Sequence, residues 1–156
     1  MAIKMDGLAL AKKLKEQARK EAAQLRRRPG LAVIIVGDNP ASRVYVNSKR
    51  KDCEECGYYS EEYALPETST QQELLDLIGE LNRREDIDGI LVQLPLPRGF
   101  CAAEVLLAID PATAVACFHP STVATLPSGP PWFHPRPPAR RIALRTEYPI
   151  HPPSTR

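Results

Sequence analysis

The sequence predicts an α/β fold: a three-layer open sheet of mainly parallel strands with helices on both faces. Three observations carry this. Residues 31–36 form a continuous apolar, largely β-branched run, the pattern of a strand buried on both faces of a parallel sheet, and 87–94 form a third strand. Stretches with helical period alternate with the strands, giving the order α-β-α-β-α-β-α. The connections are long enough for crossovers, which join parallel strands with one hand.

Asp6 can cap the first helix, whose apolar positions Leu8, Ala11, Leu14, Ala18, Ala22 and Leu25 step by three or four residues. Pro29-Gly30 ends it, and the strand over 31–36 stops at Gly37. Asn39 followed by Pro40 reads as a helix cap with proline in the first turn; this second helix stops at Gly57. Residues 58–65 alternate enough to form a second, more exposed strand. Ser69 with Gln72 three residues on is a capping-box pattern, opening a helix with Leu74, Leu75, Ile78 and Leu81 on one side. Pro95 and Pro97 forbid continuation of the third strand, 87–94, and 102–108 form a short helix. Ten of the sixteen prolines lie between Pro120 and Pro153, a density that denies the backbone both helix and central strand. The expected division is a domain over 1–120 and an irregular Pro/Arg-rich C-terminal tail over 121–156.

At 156 residues, with 43% apolar and 26% charged residues, the chain has the composition of one soluble globular domain plus a tail. The net charge of +2 hides an asymmetry: from Pro111 onward one acid, Glu147, faces Arg136, Arg140, Arg141, Arg145 and Arg156. That tail lacks lysine runs, aromatic interleaving and helical period, so nucleic acid is not the expected partner. The N-terminus has no long apolar run, so neither export nor membrane insertion is indicated and a reducing cytoplasm is expected. The four cysteines then form no disulfide framework. Cys53 and Cys56 make a C-x-x-C, open to redox chemistry, half a zinc site or ordinary helix positions. Redox pairs normally open a helix, where the dipole lowers the thiol pKa. These two fall near a helix end without a matching second pair, so ordinary helix positions, and no metal, are expected.

Open α/β sheets bind small molecules at the carboxyl ends of their strands. Tyr45 and Lys49, four residues apart, project from one helix face beside the first strand end. Gln93 follows the third strand and precedes the stiff Leu94-Pro95-Leu96-Pro97, which would fix its amide. A lysine acting as acid or base needs its pKa moved towards neutrality by desolvation or a neighbouring donor. An aromatic wall and a fixed amide supply that environment.

These residues carry a family resemblance. Val36-Gly37, Ala41-Ser42, Tyr45-Val46, Lys49-Arg50-Lys51, Gly57, the run Asp88-Gly89-Ile90-Leu91-Val92-Gln93-Leu94-Pro95-Leu96-Pro97, and Ile109-Asp110-Pro111 stand in order. Together they resemble the bifunctional methylenetetrahydrofolate dehydrogenase/methenyltetrahydrofolate cyclohydrolase (FolD) family over residues 1–111. The resemblance implies a catalytic domain that binds a tetrahydrofolate derivative against a second, NADP-binding domain. It implies one-carbon chemistry: NADP-dependent oxidation of methylenetetrahydrofolate to methenyltetrahydrofolate, then hydrolysis to 10-formyltetrahydrofolate. Carried over by position, Lys49 is the catalytic lysine, Gln93 holds it in orientation, and Tyr45 stacks on the pterin–aminobenzoate portion. The family is dimeric mainly through the nucleotide-binding domain, so a homodimer is doubtful here.

The sequence also departs from the family. Where members read Asp-Val-Asp-Gly-Phe-His-Pro, this chain has Ala114-Val115-Ala116-Cys117-Phe118-His119-Pro120. The second aspartate holds the pterin's donor edge; replacing it with Ala116 removes a charge-assisted contact of about 1.5–3 kcal/mol, roughly tenfold or more in affinity. Pro137 and Arg140 stand where the family has Thr and Gly at a turn and helix start. A Gly-Arg-Ser phosphate loop is absent before the chain ends at Thr155-Arg156. The expectation is a catalytic half without dehydrogenase activity of its own and with a trace of cyclohydrolase activity through Lys49. The alternative is a non-enzymatic folate-binding or subunit-interaction fragment.

Overall fold

The computed structural model describes residues 6–115 and 147–148. The element order is α1 (Gly7–Ala22), β1 (Gly30–Val36), α2 (Pro40–Cys56), β2 (Tyr59–Leu65), α3 (Gln71–Asn82), β3 (Gly89–Val92) and α4 (Ala102–Ala108). Among the described residues the strands form one parallel sheet in the order β2-β1-β3. The tail expected to be irregular, 121–156, and the segment Ala116 to Pro120 lie outside the described residues, apart from Glu147 and Tyr148.

β1 is the middle strand, and its alternation sorts the core into two layers. Ala32, Ile34 and Val36 join Leu74, Ile78, Leu81, Ile90, Val92 and Val105 beneath α3 and α4. Val33 and Ile35 join Val46 and Leu91 on the α2 side. The β1-to-β2 connection uses one face and the β2-to-β3 connection, running back across β1, uses the other. Opposite directions on opposite faces give both crossovers the same hand, as a doubly wound sheet requires. Ile90 forms an isolated parallel bridge with Ala114, and its N–H donates to the Thr113 carbonyl at 2.8 Å, so pairing continues past β3.

The caps explain most helix boundaries. The Asp6 carboxylate accepts from the Leu8 and Ala9 N–H groups, both at 3.0 Å, and Asn39 accepts from Ala41 and Ser42. Gly57, at φ +77°, ends α2 in the left-handed region that glycine enters without a Cβ penalty. The α3 capping box sits one residue beyond the expected Ser69–Gln72 pair: Thr70 caps the Glu73 N–H while the Glu73 carboxylate accepts from the Thr70 N–H. Both pairs fit the pattern, but only Glu73 adds a negative charge to the first turn, where the helix dipole favours it. β3 is shorter than the expected 87–94, since Ile87 and Asp88 precede the ladder.

α1 departs most from expectation. The helix stops at Ala22, which leaves Leu25 outside it, and Leu10 is its only buried residue. Leu8 and Leu14 are 86% and 48% exposed. α1 packs on α2 rather than on the sheet, so its apolar stripe meets another helix's flank instead of a core. Polar contacts tie it there: Lys15 bridges Asp52 and Glu55, and its carbonyl accepts from the Cys56 thiol. Lys13 reaches both carboxylate oxygens of Glu147 at 2.8 Å.

The amino ends of β1 and β3 are locked by charge. Asp88 takes two hydrogen bonds from the Arg27 guanidinium, at 2.6 and 2.8 Å, and one from the Gly30 N–H at 2.8 Å. Gly30 has no alternative, because a Cβ there would overlap the Asp86 carbonyl. The outer edge of the sheet is guarded by ions: Arg43 pairs with Glu62, and Arg84 pairs with Glu61 and Asp86. Paired charges of this kind discourage edge-to-edge association.

Two outcomes follow from this packing. Ile34→Ala, at a fully buried position, is expected to cost about 2–5 kcal/mol in urea unfolding, whereas Leu8→Ala stays within about 0.5 kcal/mol; a large loss at Leu8 would contradict its exposure. The Arg27 guanidinium, and then the Gly30 N–H, hold the Asp88 carboxyl below its usual range. A depressed folded pKa contributes stability above the unfolded carboxylate value of about 3.9 and loses it as pH falls towards the folded value. The unfolding midpoint of Asp88→Asn is therefore expected to fall less steeply with acid below pH ~4 than that of the parent chain; parallel pH curves would remove Asp88 from the acid response.

Candidate active site

The site begins with register. β3 ends at Val92, yet the Gln93 N–H still donates to the Ile34 carbonyl at 2.8 Å, which keeps Gln93 aligned with β1. Side chains alternate across a strand. Because Leu91 belongs to the α2-side cluster, the side chain two residues on emerges on that side as well. There the Gln93 Oε1 accepts from Lys49 Nζ at 2.8 Å. The Gln93 Nε2 donates to the Leu94 carbonyl, also at 2.8 Å, so the amide is held at both ends. The Leu94–Pro95 peptide bond that follows is cis.

α2 supplies the other two side chains. Its buried residues are Ser42, Val46, Cys53 and Cys56, and Lys49 lies between them, three residues after Val46 and four before Cys53. That position puts its stem against the sheet and its amine at the border of the helix. Tyr45, one turn earlier, is 62% exposed, with its ring centroid 5.8 Å from Lys49 Nζ. A ring face at this range attracts an ammonium weakly. Lys49 thus lies between an aromatic face and a carbonyl oxygen. The structure brings all three expected residues together, but not all at strand ends. Gln93 follows the end of β3, whereas Tyr45 and Lys49 stand on α2 alongside the sheet.

The hollow at Lys49 has a physical origin. α2 packs over β1 and β2, so the same face of β3 has no helix above it among the described residues. An open pocket of about 400 Å³ forms there, with Leu31, Gly89, Leu91 and Val115 in its floor and Lys49 and Cys53 on its α2 side. Gly89 is needed in that floor: a Cβ would stand 2.5 Å from Val115 Cγ1. A mainly apolar floor with a few fixed polar groups suits a flat heterocycle.

Burial pushes the Cys53 thiol up, against a smaller opposing hydrogen bond with Ser60, and burial pushes Cys56 up too. Raised thiols on the last turns of a helix are the opposite of the activated thiolate that redox chemistry uses. Both read as packing residues.

Asp88 is the component that local sequence reasoning missed. It appeared only as one letter of a motif, and its partners Gly30 and Arg27 lie 58 and 61 residues away. No local pattern announces such a clamp.

The comparisons place the chain in a family. Residues 5–115 match the family described as tetrahydrofolate dehydrogenase/cyclohydrolase, catalytic domain. The bifunctional protein FolD of Acetivibrio thermocellus is 51% identical over 146 residues, covering 92% of this chain and 51% of its own. The FolD of Nitratidesulfovibrio vulgaris is 49% identical over 152 residues, covering 95% and 53%. The chain therefore spans about half the length of the curated relatives it matches. Among solved structures, the 5,10-methylenetetrahydrofolate dehydrogenase of the silkworm, Bombyx mori, superposes with a TM-score of 0.91 at 32% identity, covering 96% and 53%. The FolD methylenetetrahydrofolate dehydrogenase/cyclohydrolase of Campylobacter jejuni gives 0.86 at 44% identity, covering 92% and 52%. With the family match over residues 5–115 and the fold in agreement, the chain belongs to the tetrahydrofolate dehydrogenase/cyclohydrolase catalytic-domain family.

Proposed function

We propose that this chain binds a tetrahydrofolate derivative beside Lys49 and supports hydrolysis of 5,10-methenyltetrahydrofolate to 10-formyltetrahydrofolate. This is one half of the bifunctional family's activity; the other half is oxidation of 5,10-methylenetetrahydrofolate with NADP. Residues 1–120 are assigned to the catalytic domain and 121–156 to a divergent tail. The observation that carries the reading is the 2.8 Å hydrogen bond between Lys49 Nζ and Gln93 Oε1, with Lys49 also lining an apolar hollow.

Each residue has a role that its surroundings support. The Tyr45 ring offers an exposed π face for the aromatic part of the ligand. Lys49 receives a proton from water as its oxygen attacks the methenyl carbon. It then returns a proton to the pterin nitrogen as the carbon–nitrogen bond breaks, leaving the formyl group on the other nitrogen. The hydroxyl proton of the intermediate goes to solvent. Gln93 is a positioning residue: its carbonyl oxygen can accept from the amine but cannot donate through that atom, so it fixes the direction of the amine before and after Lys49 takes up the proton.

NADP supplies the hydride acceptor in the family's oxidation step, and the described residues do not fit it. Among them, the only turn of the sheet that leads from a strand into a long capped helix on the α2 side is Gly37-Asp38-Asn39-Pro40. There Asn39 already occupies the helix N-terminus by accepting from Ala41 and Ser42, and Pro40 supplies no N–H. The Asp38 carboxylate beside it takes up the Arg43 guanidinium at 3.0 Å, so that cation is not offered to a pyrophosphate. The activity proposed for these residues is accordingly the hydrolytic step and excludes hydride transfer.

No described helix is long and apolar enough to cross a membrane. The proposed setting is the cytoplasm, with a folate as the small-molecule partner.

Two measurements test the reading. Lys49→Ala is expected to lower methenyltetrahydrofolate hydrolysis by roughly 10²-fold or more; a rate equal to the parent's discards the catalytic assignment, and binding of folate without turnover in the parent leaves a binding function only. Gln93→Glu puts a carboxylate beside the amine, which favours the ammonium. The basic limb of the pH–rate profile is then expected to move to higher pH, with the substrate KM little changed. An unmoved profile reduces Gln93 to a packing role.

A further inference from the structure

α1 reaches the Lys49 hollow through one side chain. The Lys15 ammonium donates to the Asp52 carboxylate and, at 2.8 Å, to that of Glu55. Its backbone is held beside α2 as well, because the Cys56 thiol donates to the Lys15 carbonyl. Asp52 lines the hollow that Lys49 also lines. It follows Lys49 by three residues on α2, the spacing at which side chains on a helix surface are neighbours. We propose that Lys15 is a positioning residue for Lys49: by holding the Asp52 carboxylate, it leaves the Lys49 amine to the Gln93 oxygen. The inference rests on the catalytic role given to Lys49 above and adds the residue that shields the amine from an acid of its own helix.

The chemistry makes that shielding matter. A carboxylate within about 4–6 Å of an amine favours the ammonium, whereas a lysine that takes a proton from water must be neutral when it does so. Gln93 offers the amine an uncharged acceptor; an unheld Asp52 would offer a charged one. The other titratable groups around Lys49 among the described residues do not compete. On α2, the Tyr45 ring centroid is 5.8 Å from Nζ, and burial pushes the Cys53 thiol up, away from its charged form. Across the hollow, burial pushes the Tyr58 phenol up, and Asp88 is held by Arg27. On β2, Glu62 is held by Arg43. Asp52 is therefore the acid of the hollow whose restraint comes from α1. Asp52, then Glu55, push the Lys15 ammonium well above the ordinary lysine range, so it stays charged across neutral pH. α1 has Leu10 as its only buried residue, and this contact gives the helix a part in the site that its thin packing does not suggest.

The test reads Lys49 itself. In the isotope-labelled full chain, its Cε resonance is assigned by its loss in Lys49→Arg and followed against pH. Lys15→Met is expected to move that titration to higher pH by about 0.5–1. It is also expected to slow methenyltetrahydrofolate hydrolysis about three- to tenfold at pH values below the titration point. Lys15→Met/Asp52→Asn is expected to restore both, a rescue that lost α1 packing cannot give, since the second substitution returns no contact. Asp52→Asn alone, with Lys15 still on Glu55, leaves the titration near the parent's, and this variant carries the test should Lys15→Met fail to fold. An unmoved titration in Lys15→Met, or a shift that persists in the double variant, overturns the positioning role. A fall in Asp52→Asn as large as the expected rise also overturns it, because the carboxylate would then act on Lys49 with Lys15 in place. The expected shifts in a chain that hydrolyses no methenyltetrahydrofolate uphold the positioning role and overturn the catalytic reading of Lys49 instead.

Discussion

Strand β1 is hydrogen-bonded on both edges and buried on both faces, and the rest of the domain takes its geometry from that strand. Its register with β3 fixes which residues of the third strand face α2, and the Gln93 N–H bond to the Ile34 carbonyl extends that register one residue beyond the ladder. A slip of one residue would turn Gln93 to the α3 side and carry its amide away from Lys49. The side-chain contact between two residues 44 apart in sequence is therefore a consequence of backbone pairing in the core. The buried valines and isoleucines of β1 therefore hold the candidate site's geometry as well as the core.

The site exists because the helices cover the sheet unevenly. α3 and α4 close one face over a dozen buried residues, while α2 closes only the β1–β2 half of the other. Beside the part of β3 that α2 leaves uncovered among the described residues lies an apolar hollow with Lys49 at its rim. Charge then organises the perimeter. The Arg27–Asp88–Gly30 clamp and the Lys15–Asp52 pair each remove an acid's field from the hollow, so acids that line it are neutralised in place. An anionic ligand meets a surface less hostile than its acidic residues suggest.

Much of this was legible in the residues. The continuous apolar run over 31–36 identified the central strand, Asn39-Pro40 marked the start of α2, and the four-residue spacing of Tyr45 and Lys49 put them on one face. Legibility failed where two local signals were equivalent or where burial depended on a distant partner. Ser69–Gln72 and Thr70–Glu73 satisfy the same capping pattern, and the carboxylate of Glu73 decides between them. The stripe from Leu8 to Leu25 has good helical period, yet period reports only that one side is apolar. It does not report whether a sheet or the flank of another helix lies opposite.

The sequence by itself determined the fold class, the order of the elements, the family pattern and the identity of the three candidate site residues, because each of these is written in periodicity or in short runs of neighbours. Only the tertiary structure decided that Gln93 and Lys49 meet at 2.8 Å, that a hollow lined by Lys49 and Leu91 opens beside them among the described residues, and that Asp88 is locked by Arg27. Those facts depend on strand order, register and uneven helix cover, which join residues tens of positions apart. Local spacing along the chain carries no record of them.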